Sequence, residues 1–362
     1  MKRVICFLIA ALMLCALCLP FAAAEEVPHN HTHYIDYIIR SGNTVQSFGL
    51  FCEDCDEVVH VKTGGIVIDY SITYNGWGAD GEESWYFIDG LVSLKDPLRI
   101  SGTVNLVLLD DSLFICETGL HLMEGATLNI YSEHLDYSPD TRDNHMGRLR
   151  AFARGDQGVF AAIGGGWKGE DTTVNIYGGD VYAFSEGYGA AIGSGYQGKS
   201  AVNIYGGKVR AFSTGSGAGI GSGYDYASAT VSFYGGITWA SSAEHYAASV
   251  GCGFWECHAD VNFHGGYVYG VPNTSEYSRT AGIVADNVTT TANGTHALGN
   301  GDGLYDVAGI TLAKQAGWIE QNGGYVGSVL SGGTLWIVIV IAALAVAGVV
   351  VAVVVVKKKK KN

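Results

Sequence analysis

Histidine and cysteine recur near the start of the chain at spacings that suit a metal ion. His29, His31 and His33 alternate, and Cys52-x-x-Cys55 and His60 follow. Imidazole and thiolate are zinc ligands, and alternating residues of a strand share one face. Outside the cell a Cys-x-x-Cys pair serves equally as a disulfide or an exposed thiol pair, which is the plainer reading. Further on, Asn300-Gly-Asp302-Gly303 has half the pattern of a calcium loop. Its first and twelfth positions would be Leu298 and Gly309, neither of which can ligate calcium, so it reads as a turn. No cofactor is expected, and zinc and calcium are the ions these residues could take.

A second set of reactive groups lies between residues 134 and 156. Asp136, Asp140, Asp143 and His145 stand there beside Arg142, Arg148, Arg150 and Arg154. Paired carboxylates with a basic neighbour are the groups that a polysaccharide lyase or glycoside hydrolase uses. Their spacing has no diagnostic pattern, and a solvated charged loop is the simpler reading.

A third set repeats. Tyr182, Arg210, Trp239 and Tyr269 fall at one position of successive units, and Tyr177, Tyr205, Tyr234 and His264 at another. Stacked strands would align each set as a column at about 4.8 Å per step. An exposed aromatic column can meet the flat faces of sugar rings, as amphipathic rings do at interfaces. It can also stack on itself and stabilise the sheet, at about 0.2–1 kcal/mol per pair. Asn105, Asn129, Asn175, Asn203 and Asn262 recur in the same way, with Ser232 in the series, and predict an amide ladder between units.

The elements that position these residues are repeats. Val174-Asn-Ile-Tyr-Gly-Gly returns at Val202, Val231 and Val261 in close variants, at intervals of 28, 29 and 30 residues. Ala161-Ala-Ile-Gly-Gly-Gly returns in step at Ala190, Ala218 and Ala248. Period-two alternation closed by Gly-Gly turns describes short strands, and no helical period stands out between residues 100 and 300. A unit of this length is too short for a propeller blade and fits one coil of a parallel β-helix. Val181, Val209, Thr238 and Val268 are predicted to point inward.

The alternation of VNIYGGDVYAF (174–184) with GAAIGSGYQGKSA (189–201) resembles the Gly-rich repeat of β-helix surface proteins from gut Firmicutes. The stretch LRISGTVNLVLLDDSLFICETGLHLMEGATLNIYSE (98–133) resembles the coils that lead into such repeats. Those proteins are described as carbohydrate-binding-domain-containing or adhesin-like, and the resemblance implies glycan binding or adhesion. It covers residues 85–290 and the apolar tail. This chain departs from sorted wall proteins in lacking a Leu-Pro-x-Thr-Gly signal, which implies attachment by a membrane helix.

Both ends carry an address. Lys2 and Arg3, an apolar run and Ala22-Ala23-Ala24 predict a signal peptide over residues 1–24. Leu335–Val356 is 22 residues without a charge, followed by Lys357–Lys361. That length spans a hydrocarbon core of about 30 Å as a helix, and the lysines predict a cytoplasmic tail over 357–362. Without Lys2, Arg3 and the five tail lysines, 14 basic residues face 35 acidic ones, a formal charge of −21. Such a balance argues against nucleic acid as the partner and predicts repulsion of anionic polymers. Gly at 52 of 362 with only 5 Pro excludes collagen, and 11% aromatics argue against disorder.

Together these features predict an all-β, right-handed parallel β-helix ectodomain and a single transmembrane helix. A β-rich cap is expected over 25–95, repeats over 96–290 with an insertion near 134–156, and a cap and tether over 291–334. The expected function is non-catalytic adhesion or carbohydrate binding at the cell membrane. The partners would be glycans or a host or neighbouring cell surface, with lipid around 335–356. A polysaccharide lyase or hydrolase, or a purely structural stalk, are the alternatives. The five cysteines of the mature chain are an odd number; Cys252 and Cys257 could close a small loop, and Cys116 is expected in the interior.

Overall fold

Alternation of branched apolar residues with polar ones makes each unit a set of strands with one buried and one outward face. In the computed structural model the described residues are 33–52, 57–69, 76–133, 145–155, 158–168, 171–243, 247–271, 283–290, 295–300, 319–321 and 324–328. Each unit contributes three strands. Asp171–Ile176, Asp180–Ser185 and Ile192–Gly193 make one set, and Lys199–Ile204, Lys208–Ser213 and Ile220–Gly221 the next. Equivalent strands pair in parallel, with Val174 beside Val202, Val181 beside Val209 and Ile192 beside Ile220. The result is three sheets of 12, 10 and 8 strands, each taking one strand from every unit of the repeat. The described chain is all-β, with parallel sheets stacked in the manner of a β-helix.

The interior is one continuous apolar column. Val174, Ile176, Val202, Ile204, Val231 and Phe233 enter it from the first sheet, and Ile163, Ile192, Ile220 and Val250 from the third. Val181, Val209, Thr238 and Val268 are buried on the inner side of the second. Side chains there shrink to Ala183, Ala211 and Ala240 because another part of the chain fills the space. Ala190 through Gly195 is entirely buried, and the Ala190 N–H donates to the Ser194 carbonyl at 3.0 Å. Equivalent bonds join Ala161 to Gly165, Ala218 to Ser222 and Ala248 to Cys252. The Ala-Ala-Ile-Gly-Ser-Gly pattern is therefore an inward loop, and the residues at its neck bond from one unit to the next, as Tyr224 N–H does to Tyr188 C=O at 2.8 Å.

Glycine is required in that loop for a steric reason. Gly164, Gly193, Gly221 and Gly251 stack with φ of 142°, 138°, 139° and 114°. A Cβ on Gly193 would meet the Gly221 carbonyl oxygen at 1.9 Å. Only a residue without a side chain fits the one-unit spacing at this point.

The amide ladder forms on the outer face of the first sheet. Asn129 Nδ2 donates to Asn105 Oδ1 at 2.8 Å, Asn175 to Asn129 at 2.8 Å, and Asn203 to Asn175 at 2.9 Å. Asn105 Nδ2 begins it on Glu83 Oε1 at 3.1 Å, and Asn262 Nδ2 resumes it on Ser232 Oγ at 3.3 Å. Asn175→Ala should cost about 1–3 kcal/mol, because Asn129 and Asn203 each lose a half-buried partner. A denaturant midpoint unchanged from the parent would show that the ladder contributes nothing.

Among the described residues, antiparallel strands extend the first sheet at one end of the array and the second sheet at the other. The hairpin His33–Ser41 and Thr44–Cys52 pairs with Glu57–Thr63. Its Ile35, Val45, Phe48 and Leu50 form a second core with Trp85, Phe87, Val107 and Tyr131 on the outer side of the first sheet. At the far end Gly324–Ser328 runs antiparallel to Thr295–Asn300. The reversed strands cover one edge of the first sheet and one of the second, edges that would otherwise be offered to another chain.

The structure corrects three expectations. Parallel pairing begins at Ile66–Ile68, inside the stretch expected to cap. Arg148–Ala153 is a strand of the second sheet, not loop, since Leu149, Ala151 and Ala153 alternate inward with Arg148, Arg150 and Phe152. Cys252 and Cys257 are free thiols, with Cys252 Sγ donating to the Cys257 carbonyl at 3.6 Å. Burial pushes the Cys252 thiol up to about 12 and Cys116, in the core, well above its usual value. No helix among the described residues is long and apolar enough to cross a membrane; residues 1–24 and 335–362 lie outside them.

Candidate functional site

Three outward features arise from the stacking. The first is the outer face of the second sheet, where Arg150, Tyr182, Arg210, Trp239 and Tyr269 occupy one register column. Tyr182 lies between two guanidinium groups, with Arg150 and Arg210 at 5.6 and 5.9 Å from its ring centroid. Both arginines also bind Asp180, Arg210 at 2.6 Å and Arg150 at 3.3 Å. Burial alone would raise the Asp180 carboxyl; the hydrogen bonds and charges of the two arginines outweigh it and hold the pKa below its ordinary value. Lys208 sits 5.8 Å over the Trp239 ring, which stacks on Tyr269 at 5.8 Å and 14°. Phe152, Phe184 and Phe212 form the next outward column of the same face.

The second feature is the tyrosine column of the first sheet. Tyr131, Tyr177, Tyr205 and Tyr234 stack at 4.7 Å with interplanar angles of 3–5°, and His264 continues at 4.6 Å and 7°. Their faces meet each other, so Tyr177, Tyr205 and Tyr234 present ring edges to solvent, while Tyr131 is buried in the second core. Burial, with Tyr205 alongside, pushes Tyr177 up to about 12, and Tyr131 and Tyr205 are raised for the same reasons.

The third feature lies at the neck of the inward loops. The residue after each loop is aromatic: Trp167, Tyr196, Tyr224 and Phe254. Tyr196 and Tyr224 are 5.8 Å apart, and Tyr224 and Phe254 are 5.7 Å apart. Tyr188 joins them at 5.1 Å from Tyr224. The neck turns into left-handed backbone at Lys168, Gln197, Asp225, Tyr226, Trp255 and Glu256, which throws side chains outward. Trp167, Tyr188, Tyr226 and Trp255 are 55%, 48%, 60% and 53% exposed, more open than any ring of the two sheet columns. Tyr196 Oη and Gln197 Nε2 both bind Asp225 at 2.7 Å and brace this ridge. The sequence signal for it was the cluster of aromatic residues within three positions after each Gly-x-Gly, Trp167, Tyr196, Tyr224, Tyr226, Phe254 and Trp255.

Among the described residues the remaining candidates form no common site, although His33 and Cys52 are register partners across the first hairpin. Asp136, Asp140 and Asp143 lie outside the described residues, as do His29, His31 and Cys55. His145 is exposed and hydrogen-bonds Asp111 at 3.0 Å. His33 begins the first strand, Cys52 is buried and His60 is exposed. Among the described residues no group of three or more His, Cys, Asp or Glu could hold a metal ion.

One buried titratable group stands apart from these surfaces. His121 stacks on Phe160 at 4.1 Å and 7°, and burial pushes its pKa down to about 4; the Thr118 backbone opposes the shift and Arg99 adds to it. The unfolded chain therefore binds a proton that the folded one refuses. The neutral ring's contribution is complete above the unfolded pKa of about 6.5 and is lost as pH falls toward 4, on the order of 3 kcal/mol in all. His121→Phe should flatten that part of the stability profile; an identical profile for both proteins would remove the assignment.

No known protein family, curated protein or solved structure matches this chain.

Proposed function

We propose that the chain is a non-catalytic, membrane-anchored surface protein that binds carbohydrate along a right-handed parallel β-helix. The right hand follows from the general preference of parallel crossover connections. The apolar segment 335–356 and the signal-like start support the membrane address, and the likeness to Gly-rich-repeat surface proteins of gut Firmicutes supports adhesion.

The observation that carries the reading is the neck ridge, where four aromatic side chains stand about half exposed in neighbouring units. Flat amphipathic rings fixed on a rigid scaffold are suited to the apolar faces of sugars. Repetition supplies several weak contacts in a row, so affinity comes from multivalency. The face-to-face tyrosine column favours a second reading, a stalk whose rings serve only its own cohesion. A glycan array probed with the full-length protein in detergent separates the two. Binding to at least one saccharide class is expected; silence across the array would leave the stalk.

A further inference from the structure

We infer that the outer face of the second sheet is a binding surface for anionic polysaccharide, carrying carboxylate or sulfate groups. The inference rests on the carbohydrate-binding reading above and names a ligand class for a separate face. Its ground is the placement of charge. Outside the two end segments the chain has 14 basic residues against 35 acidic ones. Four of those basic residues, Arg148 and Arg150 on Arg148–Ala153 and Lys208 and Arg210 on Lys208–Ser213, flank the strand Asp180–Ser185 of the second sheet, and Arg154 follows the end of the first of them. Among the described residues of these strands and their ends, Asp180 and Glu186 are the accompanying carboxylates.

The pairing within the cluster leaves charge to spare. Asp180 is shared by Arg150 and Arg210, and Glu186 is 3.9 Å from Arg154. Arg148 and Lys208 flank Asp180 in its register column, and neither forms an ion pair among the described residues. Arg148 is exposed and Lys208 half-exposed. Lys208 lies over Trp239, Arg150 and Arg210 over Tyr182, and Arg154 over Phe152 and Phe184, so cations border an aromatic floor. Guanidinium groups held by Asp180 are pre-oriented and lose little freedom on meeting a second carboxylate or a sulfate. A polymer with acidic groups at regular intervals would place them along strands about 4.8 Å apart. The acidic remainder of the protein repels such a polymer and confines it to this face.

The test uses the full-length protein in detergent, with polygalacturonate as the carboxylate probe, heparin as the sulfate probe, and neutral xylan and duplex DNA as comparators. Binding to at least one acidic polysaccharide is expected to exceed binding to xylan tenfold or more, and to weaken at least tenfold between about 50 and 500 mM salt. Arg148→Ala with Lys208→Ala should lower it at least tenfold. Lys199→Ala, which removes a cation paired with Asp171 on the first sheet, should leave it unchanged. Xylan bound as tightly as the acidic polymers, with the double variant unaffected, would overturn the inference and leave carbohydrate binding standing. DNA bound as well as the acidic polysaccharides would also overturn it, since charge alone would then suffice. No binding to any polysaccharide would remove both readings.

Discussion

Gly193→Val is expected to lose at least about 4 kcal/mol of stability, in the range reserved for severe core disruption. The substitution faces two penalties at one position. Its φ of 138° is a region that side chains with a Cβ avoid, and the new Cβ would stand 1.9 Å from the Gly221 carbonyl oxygen. Relief would require the coils to separate, which breaks the Ser194 N–H to Gly221 C=O bond and exposes the loop. In a repeat array each unit touches only its neighbours, so damage should start at this level and spread along the stack. Limited proteolysis should then cut between residues 186 and 224 in the variant and not in the parent. Gly76→Ala is the control: it has ordinary backbone and only the Arg99 carbonyl at 3.6 Å near its Cβ, and should cost under about 1 kcal/mol. Equal midpoints for Gly193→Val and the parent in guanidinium would mean that the loops do not stack as described.

Replacing Trp167, Tyr226 and Trp255 together by Ala should reduce carbohydrate binding about a hundredfold. Each ring contributes roughly 0.5–1.5 kcal/mol beyond its buried area, and three such contacts in series approach two decades in affinity. All three side chains are more than half exposed, so the fold should survive, and an unchanged circular dichroism spectrum would confirm that. Tyr177→Ala, in the self-stacked column, is the counterpart: it should lower stability and leave affinity near that of the parent. Retained binding in the triple variant would move the sugar contact away from the ridge.

These contrasts mark how far the residues alone could be read. Val174, Ile176, Val202 and Ile204 alternate with Asn and Tyr, and period-two alternation repeated every 28–30 residues already specifies parallel strands with a shared interior. The Asn ladder was legible for the same reason, because identical residues at identical offsets must coincide once units stack. The aromatic columns were legible as columns but not as surfaces. Whether Tyr177 offers a face or an edge depends on the 4.7 Å step between rings, which leaves no room for anything between them.

Arg148, Arg150 and Arg154 resembled a charged loop because the longer interval from Leu128 to Val174 hid a strand inside it. The sequence by itself determined the period, the strands of the regular repeats from Val174 onward and which of their positions face inward, since these follow from local alternation. Only the tertiary structure decided that Ala-Ala-Ile-Gly-Ser-Gly folds inward, that its neck pushes an aromatic ridge into solvent, and that four scattered cations meet on one sheet of an acidic protein. Those outcomes depend on distances between residues about 30 positions apart, which are set by backbone hydrogen bonding between coils and by the volume left inside them.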